Sequence, residues 1–285
     1  MTTSNPPSTP ATTSSKPAAI ILAAGKGTRM RSDLPKVCFP VGGREMVCAV
    51  VDACLEAGCG RIVVIVGYQQ ERVRAALASY PNIEYAVQRE QLGTGHAVTS
   101  AAELFTGDAA TGDCFVLCGD GPLIRASTLR DLHTTHVNAR ASATLATSVI
   151  DNPDGYGRIY RDSSGQFRAI VEQKNATPEQ LLIREVNPSY YCFKTAKLFE
   201  SLRSVKRNEL TGEYYLTDTL GHLLAAGDRV EVLASVPPED ILSINTPEDL
   251  AKVDGIYRSR QSGGTQSQSN ASGIATASIS SRRTQ

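Results

Sequence analysis

Five apolar runs set the frame for this chain, at residues 18–23, 61–66, 83–87, 113–118 and 142–149. Stretches with helical periodicity stand between them, at 46–58, 69–79, 95–105 and 126–137. Short strand-like runs alternating with helix-length segments predict βαβ units, which build a parallel sheet covered by helices on both faces. In such a sheet ligands sit beyond the carboxyl ends of the strands. At 285 residues the chain can form one large α/β domain, or one domain with a small appendage.

After Asp151 the segments become shorter and more polar. Turn signals recur, as in Asn152-Pro153-Asp154-Gly155 and Ser163-Ser164-Gly165. This predicts a mixed region folded over the sheet edge, with helices at 195–203 and 214–226, a strand at 229–235 and a last helix over 247–257. Residues 1–17 are mostly Ser, Thr and Pro with one Lys, and 258–285 are rich in Ser, Gln, Gly and Thr. Neither tail has the apolar content to join a core, so both are expected to be disordered.

The strand at 18–23 empties into a basic, glycine-rich loop, AIILAAGKGTRMRSDLPK over residues 19–36. Gly25 and Gly27 permit a tight turn that brings backbone N–H groups to phosphate oxygens. Arg29 can fork two charge-assisted hydrogen bonds, and Lys36, stiffened by Pro35, can act as a point charge. Such a loop suits a polyphosphate. Two familiar phosphate loops do not fit it: Ile20 and Gly27 stand where a Walker loop needs Gly and Ser or Thr, and Met30 breaks the dinucleotide fingerprint. The same fingerprint is approached again at Gly93-Thr94-Gly95-His96-Ala97-Val98 and fails at Val98.

The segment LAAGKGTRMRSDLPK resembles the signature of the nucleotidyltransferases that make sugar nucleotides, specifically the bacterial N-acetylglucosamine-1-phosphate uridylyltransferases. Further segments follow in the order of that family: QREQLGTGHA (88–97), GDGPLI (119–124), GYGRI (155–159), VEQKNAT (171–177), GEYYLTD (212–218) and INTPEDL (244–250). The resemblance covers roughly residues 18 to 256. It implies a Rossmann-like, GT-A-like α/β fold, a mixed but mostly parallel sheet flanked by helices. Residues 18–150 would form the nucleotide-binding part and 151–257 a smaller sugar-binding part. The implied reaction is Mg²⁺-dependent uridylyl transfer from UTP to N-acetylglucosamine 1-phosphate.

Asp120 ends the apolar run CFVLCGD and Asn245 ends DILSIN, so both should project at the carboxyl edge of the sheet. One carboxylate and one amide oxygen suit Mg²⁺, which keeps waters and prefers hard oxygen ligands. The resemblance carries both over as metal ligands. It makes Arg29 the partner of the departing phosphates and Lys36 the stabiliser near the attacking phosphate. It also places Leu22, Ala23, Ala24 and Gly25 beside base and ribose, and Gln88, Gly93 and Thr94 at the base. A side-chain amide such as that of Gln88 can pair with uracil through both its oxygen and its nitrogen. For the sugar the resemblance points to Gly157, Glu172 and Asn187, with Cys118 and Gly119 near the metal.

Some positions depart from the family. Cys118 stands where Tyr is usual, Gly121 where Val is common, and Pro188-Ser189 where Thr-Gly follows the Asn. Three readings therefore stand together: the active uridylyltransferase, the same chemistry on another hexose 1-phosphate or base, and a non-catalytic nucleotide-binding relative. The last would be expected to lose Arg29, Lys36, Asp120 or Asn245, and all four are present. The acetyl-transferring β-helix of hexapeptide repeats that follows in many such enzymes has no counterpart here, so acetyltransferase activity is not expected.

Lys plus Arg and Asp plus Glu both number 29, a balance that argues against broad attraction to nucleic acid or membrane. The seven cysteines lie in apolar surroundings without a C-x-x-C pair and are read as reduced core residues. His133 and His136, three apart on a predicted helix, are read as a solvated face. The amino-terminal segment lacks the apolar core of a secretory signal and no run is long enough to span a membrane. The expected place is the cytoplasm, and the oligomeric state is left open.

Overall fold

A computed structural model describes residues 16–234 and 236–277, with side chains to residue 262. The strands are β1 (Ala18–Ala23), β2 (Pro40–Val41), β3 (Arg44–Glu45), β4 (Arg61–Val66), β5 (Ile83–Val87), β6 (Asp113–Cys118), β7 (Ala143–Ala146), β8 (Ser148–Val149), β9 (Gly157–Arg161), β10 (Phe167–Val171), β11 (Glu185–Asn187), β12 (Tyr190–Lys194) and β13 (Val230–Leu233). The helices are α1 (Met46–Glu56), α2 (Gln70–Ala76), α3 (Thr94–Thr99), α4 (Ala126–Ala139), α5 (Pro178–Leu181), α6 (Thr195–Leu202), α7 (Asp218–Ala225) and α8 (Pro247–Ala277).

The central sheet has the order β13-β7-β12-β6-β1-β4-β5. It is parallel throughout except for β12, which runs antiparallel to both neighbours. Its central strands are apolar at nearly every position because both faces are covered. Ile20, Val63, Ile65, Cys114 and Val116 face one core, while Ile21, Val64, Val66, Phe115 and Leu117 face the other. Fully burying each such aliphatic side chain contributes about 1.5–3 kcal/mol, so the sheet is the stable platform on which the loops are set. A second, antiparallel sheet, β10-β9-β11-β8, forms the smaller region.

Four boundaries differ from expectation. The apolar run 142–149 is two strands, because the chain changes sheets at Thr147. That residue gives its N–H to Leu233 O at 2.9 Å and its hydroxyl to Glu185 Oε1 at 2.7 Å, bonding to both regions at once. The helix expected over 214–226 starts only at Asp218. Residues 214–216 serve as a docking segment instead: Tyr214 N–H donates to Leu92 O and Gly95 N–H to Tyr214 O, both at 2.8 Å. The helix expected over 95–105 ends at Thr99, and a 3-10 turn follows at Ala102–Leu104.

The last helix passes its expected end at 257 and continues through the segment expected to be disordered. Its side chains anchor the stem as far as Arg260. Gly42 N–H donates to Asp254 Oδ1 at 2.7 Å, and Arg260 donates to Leu123 O at 3.1 Å and to buried Asp240 at 2.6 Å. The polar composition of the segment hides these anchors in the sequence. The expected disorder of residues 1–15 and 278–285 lies outside the described residues.

Candidate active site

The loop after β1 folds its backbone against the next basic residue. Gly27 has φ 70°, and a Cβ there would lie 2.5 Å from Lys36 Cβ, so only glycine lets the two segments approach. Buried Met30 closes the turn through its N–H to Gly27 O at 3.0 Å. Beyond Pro35, a 3-10 turn buries Val37 and Cys38 and leaves Lys36 facing the sheet edge. Its Nζ contacts Asp120 Oδ2 and donates to Asn245 Oδ1 at 2.7 Å. Arg29 donates to the same Asn245 oxygen, also at 2.7 Å.

Asp120 is held by an extension of the strand pairing. Leu22 pairs with Cys118 in β6, and Gly119 N–H then donates to Leu22 O at 2.9 Å. A Cβ on Gly119 would sit 2.9 Å from that oxygen, which accounts for glycine at this position. Asp120 O in turn accepts from Ile244 N–H at 3.2 Å, bringing the Asn245 segment alongside. Asn245 and Thr246 both give their N–H groups to Asp249 Oδ2, at 3.0 and 2.9 Å, and Thr246 Oγ1 accepts from Asp249 N–H. This reciprocal cap opens α8. The Asn245 amide donates to Ser243 Oγ at 3.2 Å, which turns its oxygen toward the two cations.

A carboxylate oxygen and an amide oxygen thus converge on one cationic nitrogen. Such a hard-oxygen pair is the donor set that Mg²⁺ takes when waters and phosphate oxygens complete its shell. Among the described residues no group of three or more His, Cys, Asp or Glu could hold a metal, so a cation here would find in Asp120 and Asn245 a partial shell only.

Beside this cluster lies a cleft of about 240 Å³, lined by Leu22, Thr94, Cys118, Asp120 and Asn245 on one side and by Gly157, Glu172 and Asn187 on the other. Glu172 accepts from Thr217 Oγ1 at 2.9 Å, and burial pushes its carboxyl above the usual range. Asn187 gives its amide N–H to Tyr191 OH at 2.6 Å and accepts from Ser189 N–H at 3.0 Å, so its orientation is fixed from both ends. Ser189 holds φ 64° where the resembling enzymes have glycine. Burial pushes the Cys118 thiol up to about 12, which makes it a neutral lining group rather than a nucleophile.

Gln88, Gly93 and Thr94 come together in one turn, but largely to hold it. Gln88 is buried; its Nε2 donates to Gly93 O at 3.1 Å and lies 3.1 Å from His96 Nδ1. The expected pairing of a base with both amide atoms is reduced to the oxygen. Thr94 Oγ1 accepts from Leu216 N–H at 3.0 Å. Ala23 and Ala24 are buried and act through backbone, with Ala24 O accepting from Tyr68 N–H at 3.1 Å. Gly25 has open space around it. Lys26 lies over the Tyr68 ring, 5.1 Å from its centroid.

Tyr156, Ser189, Glu213, Tyr215, Thr217 and Ser243 also line the cleft, and the sequence alone assigns them no role. Their signal is present in GYGRI and GEYYLTD, which mark the segments without saying which side chains turn inward.

A family model described as nucleotidyl transferase matches residues 18–261. The bifunctional protein GlmU of Geobacter metallireducens is 44% identical over 243 residues, 85% of this chain and 51% of that protein. GlmU of Pelotomaculum thermopropionicum is also 44% identical over 243 residues, 85% of this chain and 52% of that protein. The chain thus spans about half the length of the curated relatives it matches. A solved structure of UDP-glucose pyrophosphorylase with UDP-glucose superposes with a TM-score of 0.69 at 18% identity, over 86% of this chain and all of that one, and so shares the fold.

Proposed function

Because the chain belongs to the nucleotidyl transferase family, we propose that it transfers a uridylyl group from UTP to N-acetylglucosamine 1-phosphate, releasing pyrophosphate. The observation that carries this reading is the contact of Arg29, Lys36, Asp120 and Asn245 at the carboxyl edge of the sheet, next to a cleft bearing Gly157, Glu172 and Asn187. An oxygen of the sugar phosphate attacks the α-phosphorus of UTP. The bond from that phosphorus to the bridging oxygen breaks, and its electron pair leaves on pyrophosphate. No nucleophilic side chain is required, since positioning and charge compensation carry such reactions.

Lys36, 15% exposed, exchanges its contact with Asp120 and Asn245 for the attacking phosphate of the sugar. Arg29 lies further out and holds the departing phosphates. Asp120 and Asn245 would hold magnesium, which would supply charge neutralisation to the reacting phosphates. The glycine-rich backbone after Ala24 faces the triphosphate, Leu22 packs near the base, and the turn at Gly93 and Thr94 limits which base fits. Glu172 and Gly157 meet the sugar. Seven free cysteines and a nucleotide substrate agree with a reducing, cytoplasmic setting, and among the described residues no helix is long and apolar enough to cross a membrane.

One observation favours a second reading, the same chemistry on glucose 1-phosphate. Asn187 is tied at both ends of its amide and Ser189 beside it departs from the family pattern, so the sugar side of the cleft carries a departure at which sugar preference can change. The test is pyrophosphate release across nucleoside triphosphates and sugar 1-phosphates with Mg²⁺. A buried polar group left unpaired by the wrong sugar costs about 1–3 kcal/mol, roughly one to two decades of preference. Preference for N-acetylglucosamine 1-phosphate supports the first reading, and equal or better use of glucose 1-phosphate replaces it with the second. No release with any pair refutes both.

A further inference from the structure

Arg158 is a fully buried side chain, at 0% exposure, and it does not line the cleft. Buried charges are normally paired and hydrogen-bonded, yet this guanidinium is under-partnered. One terminal nitrogen donates to Tyr156 O and, at 3.3 Å, to Gln173 Oε1. Among the described residues its Nε and its other terminal nitrogen have no hydrogen-bond partner. The carboxylate beside it is that of Asp154, with Oδ1 at 3.9 Å and the side chain 78% exposed. Burial without a close acid lowers the guanidinium's affinity for its proton, as an uncompensated cation requires.

The surroundings give this charge a role that holding a hairpin would not need. Gln173 Oε1, which takes one Arg158 bond, also accepts from Gly155 N–H. Arg158 therefore grips two turns that border the cleft, one running through Gly155, Tyr156 and Gly157 and the other following Glu172. Gly155 has φ 86°, and Asp154 and Gly155 stand on the exposed side of the turn between Asn152 and Gly157. A shift of roughly 1 Å would bring Asp154 within charge-assisted bonding distance of the unspent guanidinium nitrogen.

We infer that Asp154 and Arg158 form a clasp that closes the 152–157 turn over the sugar end of the cleft, which makes both positioning residues for the sugar phosphate. The link to the sugar rests on the proposed function; the clasp itself does not. Closing it draws Gly157 toward Glu172, whose Oε2 already lies 3.7 Å from where a Gly157 Cβ would be.

Asp154→Asn, an exposed and nearly isosteric change, tests the clasp in two arms. In hydrogen exchange on the ligand-free protein, the amides of 152–157 should exchange at least fivefold faster in the variant, with the rest of the domain and the melting temperature unchanged. Unaltered protection overturns the clasp, whatever the enzyme's activity. In steady-state kinetics the KM for the sugar 1-phosphate should rise about tenfold while the KM for UTP and kcat hold. Asp154→Glu should restore it, and in an Arg158→Met background Asp154→Asn should add nothing further. An unchanged sugar KM, or a full additional effect in that background, overturns the positioning role. Turnover absent in the wild type refutes the proposed function and, with it, the sugar link, and the exchange arm still decides the clasp.

Discussion

Replacing Gly93 by Ala should be among the most damaging single-methyl changes available in this chain. Gly93 has φ 101° and ψ 177°, a region open to glycine alone, and a side chain there costs about 1–3 kcal/mol. The added Cβ would also lie 2.6 Å from Tyr214 O and 2.9 Å from Tyr214 N, backbone atoms that cannot rotate away. Relief requires residues 213–216 to withdraw. That loosens the Gly95 N–H to Tyr214 O and Tyr214 N–H to Leu92 O bonds at 2.8 Å and the Leu216 N–H to Thr94 Oγ1 bond at 3.0 Å. At about 0.5–1.5 kcal/mol for each bond, the whole comes to roughly 3–7 kcal/mol. For a domain of this size that is a fall in Tm of roughly 6–28 °C. Gly58→Ala is the control, because Gly58 has φ 93° with nothing within 4 Å of an added Cβ, and it should show strain alone. Scanning calorimetry of both variants decides the matter. Equal melting temperatures would refute the claim that close approach to Tyr214 fixes this glycine.

Other changes probe the charges and the strained turn. Asp120→Ala removes the carboxylate that contacts Lys36, and pyrophosphate release should fall by about two to three decades, the equivalent of about 3–4 kcal/mol; undiminished turnover in a folded variant would end the metal-ligand assignment. Burial raises the Glu172 pKa, so its contribution to stability is present at low pH and is lost as pH rises through the folded value. Glu172→Gln keeps an oxygen for the Thr217 hydroxyl and should melt at or above wild type near about pH 8 with no difference near about pH 4, whereas a lower Tm at the higher pH would contradict that sign. Ser189→Gly relieves φ 64°; strain of about 1–2 kcal/mol less glycine's own entropy cost predicts a rise in Tm of about 1–3 °C, and a lower Tm would show the serine is not strained.

The central sheet was legible because its strands are buried on both faces and therefore read as unbroken apolar runs, as in Arg61–Val66. The cluster of Arg29, Lys36, Asp120 and Asn245 was legible because Arg29 and Lys36 sit in the basic, glycine-rich loop while Asp120 and Asn245 each close an apolar run. What escaped were features set by distant partners. Thr147 gives no sign in sequence that it bonds to Leu233 and Glu185 and splits a strand. The start of α7 was misplaced because Tyr214 and Tyr215 suit a helix face equally well until Leu92 and Gly95 claim the backbone. Gln88 was read as pairing with a base through both amide atoms, because nothing in its neighbours announces that Gly93 and His96 would meet its amide nitrogen. Arg260 sits in a polar stretch, and only the buried Asp240 twenty residues earlier makes it an anchor.

The attachment of α8 has a consequence in helical phase. Its first turn fixes Asn245, Asp254 holds Gly42 from its middle, and Arg260 reaches Asp240 and Leu123 further on. From Pro247 to Arg260 the axis advances about 20 Å, and every residue turns the helix by about 100°. Three grips on a common stem can all be met only at one length. A single residue inserted between Asp254 and Arg260 would leave Asn245 seated but swing the arginine about a quarter turn away, leaving buried Asp240 with Arg125 as its remaining ion-pair partner. The spacing of polar residues along this helix is thus as much a constraint as the apolar pattern of the sheet, although it leaves no periodic mark in the sequence.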